Sequence, residues 1–265
     1  IAFSIPADAE GVFLIGRVSH YMPRAEGMNA PIGEFGDVES FSVFDNVFIP
    51  NERIFLNGET DKAGELALMF ALFHRHSYTG CKPGVGDVLM GTTALVADYL
   101  GVEKQSHIKE KMAEMISVAE LVFAAGIAAG VKSTTSASGT QIPNVIYANV
   151  GRRHAGHNIY HEYNLLCDVA GGLPVTIPLV GDYLSPVVGK YVREFCARRE
   201  GVSDENHYRA ALLAADLLTS ELAIIMQVAG VHGGGSPIME DIAIMSTYDV
   251  KAKKNLAKHL AGITE

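Results

Sequence analysis

Beyond residue 60 nearly every long stretch repeats its apolar side chains at helical spacing, and this periodicity constrains the chain more than any other feature. In residues 110–131, Met112, Met115, Ile116, Ala119, Val122 and Phe123 fall on one face, a stripe that packs against neighbouring helices. Helices are predicted over 61–80, 84–101, 105–132, 144–169, 186–199, 204–230 and 236–260. Gly, Pro and Ser gather at 133–143, 171–178 and 233–237, where helices should stop. Ser203, followed by Asp204, Glu205 and an Ala/Leu-rich run, predicts an N-cap. Residues 1–57 read instead as strands: Ile1-Ala-Phe-Ser-Ile and Gly11-Val-Phe-Leu-Ile-Gly flank a turn-like Pro6-Ala-Asp-Ala-Glu-Gly. Over 39–48 apolar and polar residues alternate imperfectly, so a strand with apolar contacts on both faces is expected there. The predicted fold is mainly α, with the end of a β-domain over 1–58 followed by an antiparallel helical bundle over 59–265.

Composition narrows the function classes. A chain of 265 residues that is 48% hydrophobic and 19% charged is not disordered. Its net charge of −9, with basic residues scattered except at Lys251, Lys253 and Lys254, argues against a nucleic-acid partner. No apolar run approaches the ~18 residues of a spanning helix, so no membrane partner is expected. Three cysteines (Cys81, Cys167, Cys196) are not a disulfide framework, and with no signal-like start they predict a reducing, cytoplasmic setting. Ile1-Ala-Phe-Ser-Ile-Pro lacks an initiator Met and reads as mid-strand, so the chain is expected to be the C-terminal part of a longer protein.

The chemistry concentrates in His74-Arg-His-Ser-Tyr-Thr-Gly-Cys-Lys82. On a helix, His74, Tyr78 and Cys81 fall at i, i+4 and i+7 and share a face. Gly80 and Pro83 predict that the helix unwinds near Cys81, turning Cys81 and Lys82 towards the same site as His74. The plainer alternative is a buried His, a core Cys and two surface residues. Four such groups together favour a reactive set. A complete zinc site is not available, since one His and one Cys supply two of four ligands and no Cys-x-x-Cys closes the site. The pair looks like half of a metal site. His154, His157 and His161 share a helical face beside Arg152 and Arg153, but no carboxylate or thiol can be assigned to it, and a polar or interface face is expected rather than a metal site.

The His74–Cys81 pair, followed by Lys82 and preceded by Phe41-Ser-Val-Phe-Asp-Asn-Val-Phe-Ile-Pro-Asn-Glu-Arg-Ile-Phe, resembles the 4-hydroxyphenylacetate 3-hydroxylase family, which has the acyl-CoA dehydrogenase fold. Within it the pair resembles the branch that dehydrates 4-hydroxybutyryl-CoA to crotonyl-CoA and isomerises vinylacetyl-CoA, through a flavin radical assisted by an iron–sulfur cluster. The resemblance implies FAD and a [4Fe-4S] cluster with His74 and Cys81 as two of its four ligands, the other two lying outside this chain. It makes His74 the candidate base as well, Tyr78 a substrate hydrogen-bond donor, and Lys82 a positive charge near the departing oxygen. It places the carboxylates Glu39, in Gly36-Asp-Val-Glu-Ser, and Glu240, in Pro237-Ile-Met-Glu-Asp, in the active site; a solvated charge is the alternative for each. Gly171 and Gly172 resemble a loop near FAD. Gln227, Gly230 and Gly233 resemble a Gln-x-x-Gly-Gly-x-Gly element that meets a neighbouring subunit's flavin, with Val231 replacing the second Gly. A helix C-cap is the alternative for both stretches. The resemblance further implies an acyl-CoA substrate and a homotetramer. A reduced-flavin aromatic monooxygenase of the same fold and a non-catalytic helical fragment remain as alternatives.

Overall fold

The computed structural model describes residues 1–18 and 38–264. Among these residues strands pair only in twos, each pair antiparallel: β1 (Ala2–Phe3) with β4 (Ile54–Leu56), β2 (Val12–Val18) with β3 (Val38–Phe44), and β5 (Thr134–Thr135) with β6 (Gln141–Ile142). The expected double-sided cover of β3 is not present among the described residues. Phe13, Leu14, Ile15, Phe41 and Phe44 are each more than half exposed, since the two-stranded ribbon is covered only locally, by Phe3 edge-on to Phe44 at 5.9 Å.

The remainder is mainly helical: α1 (Thr60–Tyr99), α2 (Ser106–Val131), α3 (Val145–Ala170), α4 (Leu173–Thr176), α5 (Val180–Tyr183), α6 (Gly189–Cys196), α7 (Asp204–Thr219), α8 (Glu221–His232), α9 (Pro237–Thr247) and α10 (Val250–Leu260). Ser203 caps α7 by accepting from Asn206 N at 3.2 Å, as the sequence predicts. Two predicted helices are each divided. Ser220 is extended; its hydroxyl donates to Asp216 O and accepts from Ala223 N, closing α7 and capping α8. Asp249 accepts from Ala252 N at 2.8 Å and starts α10 afresh.

The larger correction concerns α1. Instead of unwinding at Cys81 and Lys82, it continues through Pro83 as one helix of 40 residues. Leu72, Arg75, Thr79, Lys82, Leu89, Thr93 and Val96 recur along one seam of it, and all are buried. Pro83 is half-buried at the edge of that seam, one turn beyond Thr79, whose carbonyl loses the proline's hydrogen bond. Burying so long a seam outweighs the roughly 3 kcal/mol that a helical proline costs. Lys82 therefore stays on the seam, 1% exposed, while the neighbouring Cys81 is exposed.

Two stretches, Ser106–Val131 and Glu221–Thr247, are long and apolar enough to cross a membrane by length and composition, which corrects the expectation that none is. In the structure the first is α2, whose Met115, Val118, Ala119 and Val122 are buried within the protein. The second is interrupted between α8 and α9 by Gly235, at φ +95°.

The described chain forms two compact units. The first (Ile1–Met69, Leu89–Met112, Tyr163–Gln227) has a core around Tyr183 and Tyr208, stacked at 4.4 Å with Ile177, Val180, Val192 and Leu212. The second (Phe70–Val88, Ala113–Glu162, Val228–Glu265) holds segments of α1, α2, α3 and α8 together with α9 and α10. Thr79 lies against Gly126 and Gly86 against Ala119, so α1 and α2 run antiparallel; Gly151 against Ala125 and His161 against Glu114 make α3 antiparallel to α2. Glycine permits this approach: a Cβ at Gly151 would stand 2.9 Å from both Ala125 Cβ and Thr79 Cγ2.

Candidate functional site

The second unit buries an unusual amount of charge. From α1 come Arg75 and Lys82, from α3 Arg152 and Glu162, and from α9 Glu240, all at or below 5% exposure. Charges so placed need partners. Lys82 forms an ion pair with Glu162, which leaves Glu162 Oε1 without a hydrogen bond. Burial pushes the Glu162 carboxyl above the ordinary carboxylate range, and Lys82 offsets part of that rise. Arg75 Nη1 donates to Asn149 Oδ1 at 2.9 Å.

The last turn of α8 and the turn that follows it organise the rest. Tyr78 OH donates to Gly230 O at 3.1 Å, Arg152 Nη2 to Val231 O at 2.8 Å, and Arg75 Nε to Gly234 O at 3.0 Å. Two guanidinium groups thus meet carbonyls at the C-terminal end of a helix, where its dipole favours positive charge. The Arg152 guanidinium also lies 4.3 Å over the Tyr78 ring, and its Nε faces Glu240 Oε1 at 3.7 Å. Burial pushes the Tyr78 phenol up to about 12. It also raises the Glu240 carboxyl, against the pull of Arg152 and Arg75.

The structure distributes the predicted residues unevenly. Tyr78 and Glu240 meet through Arg152. His74 is half-buried and packs edge-on against Phe70 at 5.8 Å, and Cys81 is a free, exposed thiol. Both stand on one side of a regular helix. Lys82 is locked to Glu162 instead of turning out beside Cys81. Glu39 lies exposed on β3 in the first unit, while Gly36 and Asp37 of its motif lie outside the described residues. Gly171 and Gly172 are exposed with open space around them; Gly171, at φ +62°, donates its N–H to Cys167 O and closes α3. Gln227 Nε2 donates to Ala223 O at 3.1 Å. Gly230 is taken up by packing: a Cβ there would stand 2.6 Å from Ile159 Cγ1, so its bare face receives Ile159. Gly233 is exposed.

The histidine face also needs correction, because a carboxylate does reach it: Glu114 of α2 pairs with His161 Nε2 at 2.7 Å. Asn158 lies against His154, and burial pushes the His154 imidazole down. Arg75, Asn149, Arg152 and Glu162 escaped the sequence reading. For Arg152 and Glu162 the signal was phase, since they share the helical face of Ala148, Ala155, Ile159 and Leu166, all buried.

Sequence comparison matches residues 63–262 to the family described as 4-hydroxyphenylacetate 3-hydroxylase C terminal, and residues 1–56 to its N-terminal counterpart. The chain belongs to the 4-hydroxyphenylacetate 3-hydroxylase family. Among its relatives in that family, the 4-hydroxybutyryl-CoA dehydratase/vinylacetyl-CoA-Δ-isomerase of Clostridium aminobutyricum is 38% identical over 99% of this chain and 56% of its own length. The solved oxygen-tolerant archaeal 4-hydroxybutyryl-CoA dehydratase from N. maritimus superposes with a TM-score of 0.91 at 38% identity, covering 99% of this chain and 53% of that one. The oxygenase component of 4-hydroxyphenylacetate 3-monooxygenase, solved with FAD and 4-hydroxyphenylacetate, shares the fold at TM-score 0.84 and 18% identity, over 97% of this chain and 54% of that one. The fold is therefore the mainly α, acyl-CoA dehydrogenase-like one of this family. The chain spans about half the length of the relatives it matches.

Proposed function

We propose that this chain is the C-terminal part of a 4-hydroxybutyryl-CoA dehydratase with vinylacetyl-CoA Δ-isomerase activity, a lyase that uses FAD and a [4Fe-4S] cluster. The observation that carries the reading is the 38% identity to such an enzyme over 99% of the chain. The donor set fits half of a cluster site. A free exposed thiol and an imidazole whose ring has no hydrogen-bond partner among the described residues share one side of α1. His74 and Cys81 are thus two of the cluster's ligands, with the other pair supplied by the remainder of the enzyme. When bound, the flavin supplies one-electron chemistry and the cluster a Lewis acid for the leaving hydroxyl.

The chain's own residues supply the rest. Tyr78, protonated through the physiological range, exchanges its hydrogen bond to Gly230 O for one to the substrate, and Glu240 is the carboxylate base for the proton beside the thioester. His74 takes the second proton, at C3, which requires its ring nitrogen to leave the iron or stand poised beside it. Lys82, held by Glu162, sets positive charge near the departing oxygen, and Glu39 contributes a further carboxylate. Gly171, Gly172, Gln227 and Gly233 contact the flavin through backbone or amide groups. The enzyme is a homotetramer whose β-domain ends near residue 58.

Anaerobic purification of the full-length protein, with flavin, iron and sulfide quantified, tests this reading. Flavin together with a broad cluster absorbance is expected, and Cys81→Ser should lose the cluster while keeping flavin. Flavin without iron in the unsubstituted protein would transfer the reading to a reduced-flavin monooxygenase. Absence of both would leave a non-catalytic helical protein.

A further inference from the structure

The buried charges of the second unit do not pair off evenly. Among the five named above, three are cations and two are carboxylates. Lys82 and Glu162 occupy each other, and Arg75 spends its hydrogen bonds on Gly234 O and Asn149. Arg152 is placed differently. It is 0% exposed, yet two of its nitrogens, Nε and Nη1, have no hydrogen-bond partner, and Glu240 Oε1 opposite Nε has none either. Leaving such groups bare costs stability, and an unpaired set in a native site marks a functional constraint.

The guanidinium is held from every side. Nη2 is tied to Val231 O, one face covers the Tyr78 ring, and two glycines leave room for the head group. A Cβ at Gly156 would stand 2.6 Å from Nη1, and one at Gly234 would stand 2.6 Å from Nε. The absence of side chains at 156 and 234 is what lets the guanidinium occupy this slot. Part of the Gly-rich stretch after α8 therefore serves to seat an arginine.

We propose that Arg152 is the positioning residue of this site, aligning Tyr78 with Glu240 and placing its positive charge opposite Glu240 Oε1 without capping that oxygen. At 3.7 Å the charge acts on the carboxylate, while the gap exceeds a hydrogen bond and leaves Oε1 free to take a proton. The proposal rests on Glu240 being the base assigned under Proposed function. The groups bearing on Glu240 are Arg152 and Arg153 from α3, Arg75 and Tyr78 from α1, and its neighbour Asp241. Arg153 is already paired with Asp241 at 2.5 Å, and Arg75 is tied to the turn, which leaves Arg152 as the cation facing the open oxygen.

The test is the pH dependence of kcat/KM for 4-hydroxybutyryl-CoA in the full-length holoenzyme, with Arg152→Gln, Arg152→Lys, Gly234→Ala and Glu240→Gln. Loss of the charge in R152Q should move the acidic limb up by about one to three pH units, because the carboxylate then ionises later. R152K keeps the charge but not the stacked fork, so its limb should stay near the wild-type position while kcat falls. G234A retains every charge but crowds Nε, and should lower kcat with a smaller limb shift in the same direction. R152Q that loses activity with its limb unmoved would overturn the proposal and reduce Arg152 to a structural cap. If R152Q does not fold, an unmoved limb and unchanged kcat in G234A overturn it instead. Wild-type activity in E240Q would sink the base assignment itself, whereas an inactive E240Q beside an unmoved R152Q limb would sink only the role of Arg152.

Discussion

Removing one member of the Lys82–Glu162 pair should damage the protein far more than removing both. The two side chains are 1% and 0% exposed, so no water replaces a lost partner, and Glu162 Oε1 already lacks a hydrogen bond. Lys82→Met strands a carboxylate and Glu162→Leu strands an ammonium, and each should cost about 3–5 kcal/mol. The double substitution exchanges the pair for hydrocarbon of similar volume and should lie within about 1 kcal/mol of wild type, or above it. Urea unfolding of the protein carrying this chain, in all four forms of the cycle, reads the coupling, expected at about 5 kcal/mol or more. An asymmetry should accompany it. Burial already raises the Glu162 carboxyl, so the Lys82→Met penalty should shrink at acid pH as Glu162 takes up a proton, while the Glu162→Leu penalty should not. Single variants each within about 1 kcal/mol and additive in the double would refute the reasoning, since that is how a solvated surface pair behaves.

Three further outcomes are expected. Glu162 and Glu240 both sit above the ordinary carboxylate range, so the folded state binds more protons than the unfolded chain; their contribution is fully present below the unfolded carboxylate pKa and is lost as pH rises through the folded values, and unfolding free energy against pH should show a slope that E162Q and E240Q flatten. Gly126→Ala should destabilise by about 1–3 kcal/mol, because the new methyl group meets Thr79 at the α1–α2 crossing; a neutral result in the same urea unfolding would contradict that packing. Pro83→Ala should stabilise, by up to roughly 3 kcal/mol, since α1 is already helical there and regains a backbone donor; destabilisation would mean the helix needs its proline.

Residues 110–131 and Ser203 show what was legible: an apolar periodicity and a capping side chain are local patterns, and the extent of α2 and the start of α7 follow them, but the packed face of α2 is narrower than the stripe, with Met115, Val118, Ala119 and Val122 buried and Ile116 and Phe123 exposed. Pro83 shows the opposite case. The local rule against a helical proline is sound, but it competes with a buried seam running through Lys82, and only packing decides the outcome. The His74, Tyr78 and Cys81 register needed nothing beyond helical spacing. Arg152 and Glu162 were hidden because a charged residue in a helix is read by default as solvated; their phase with Ala155 and Ile159 was the one available warning. The Gly-rich stretch after α8 was ambiguous in principle, since bare backbone serves a cofactor, a cap or an arginine equally well until its neighbours are known.

A rod of 40 residues reaches about 60 Å and tolerates no slack between its positions. Loops adjust to an indel; a rod does not. Inserting or deleting one residue between 74 and 81 would turn the thiol about 100° around the axis from the imidazole, so this segment should be fixed in length wherever both donors serve one inorganic centre.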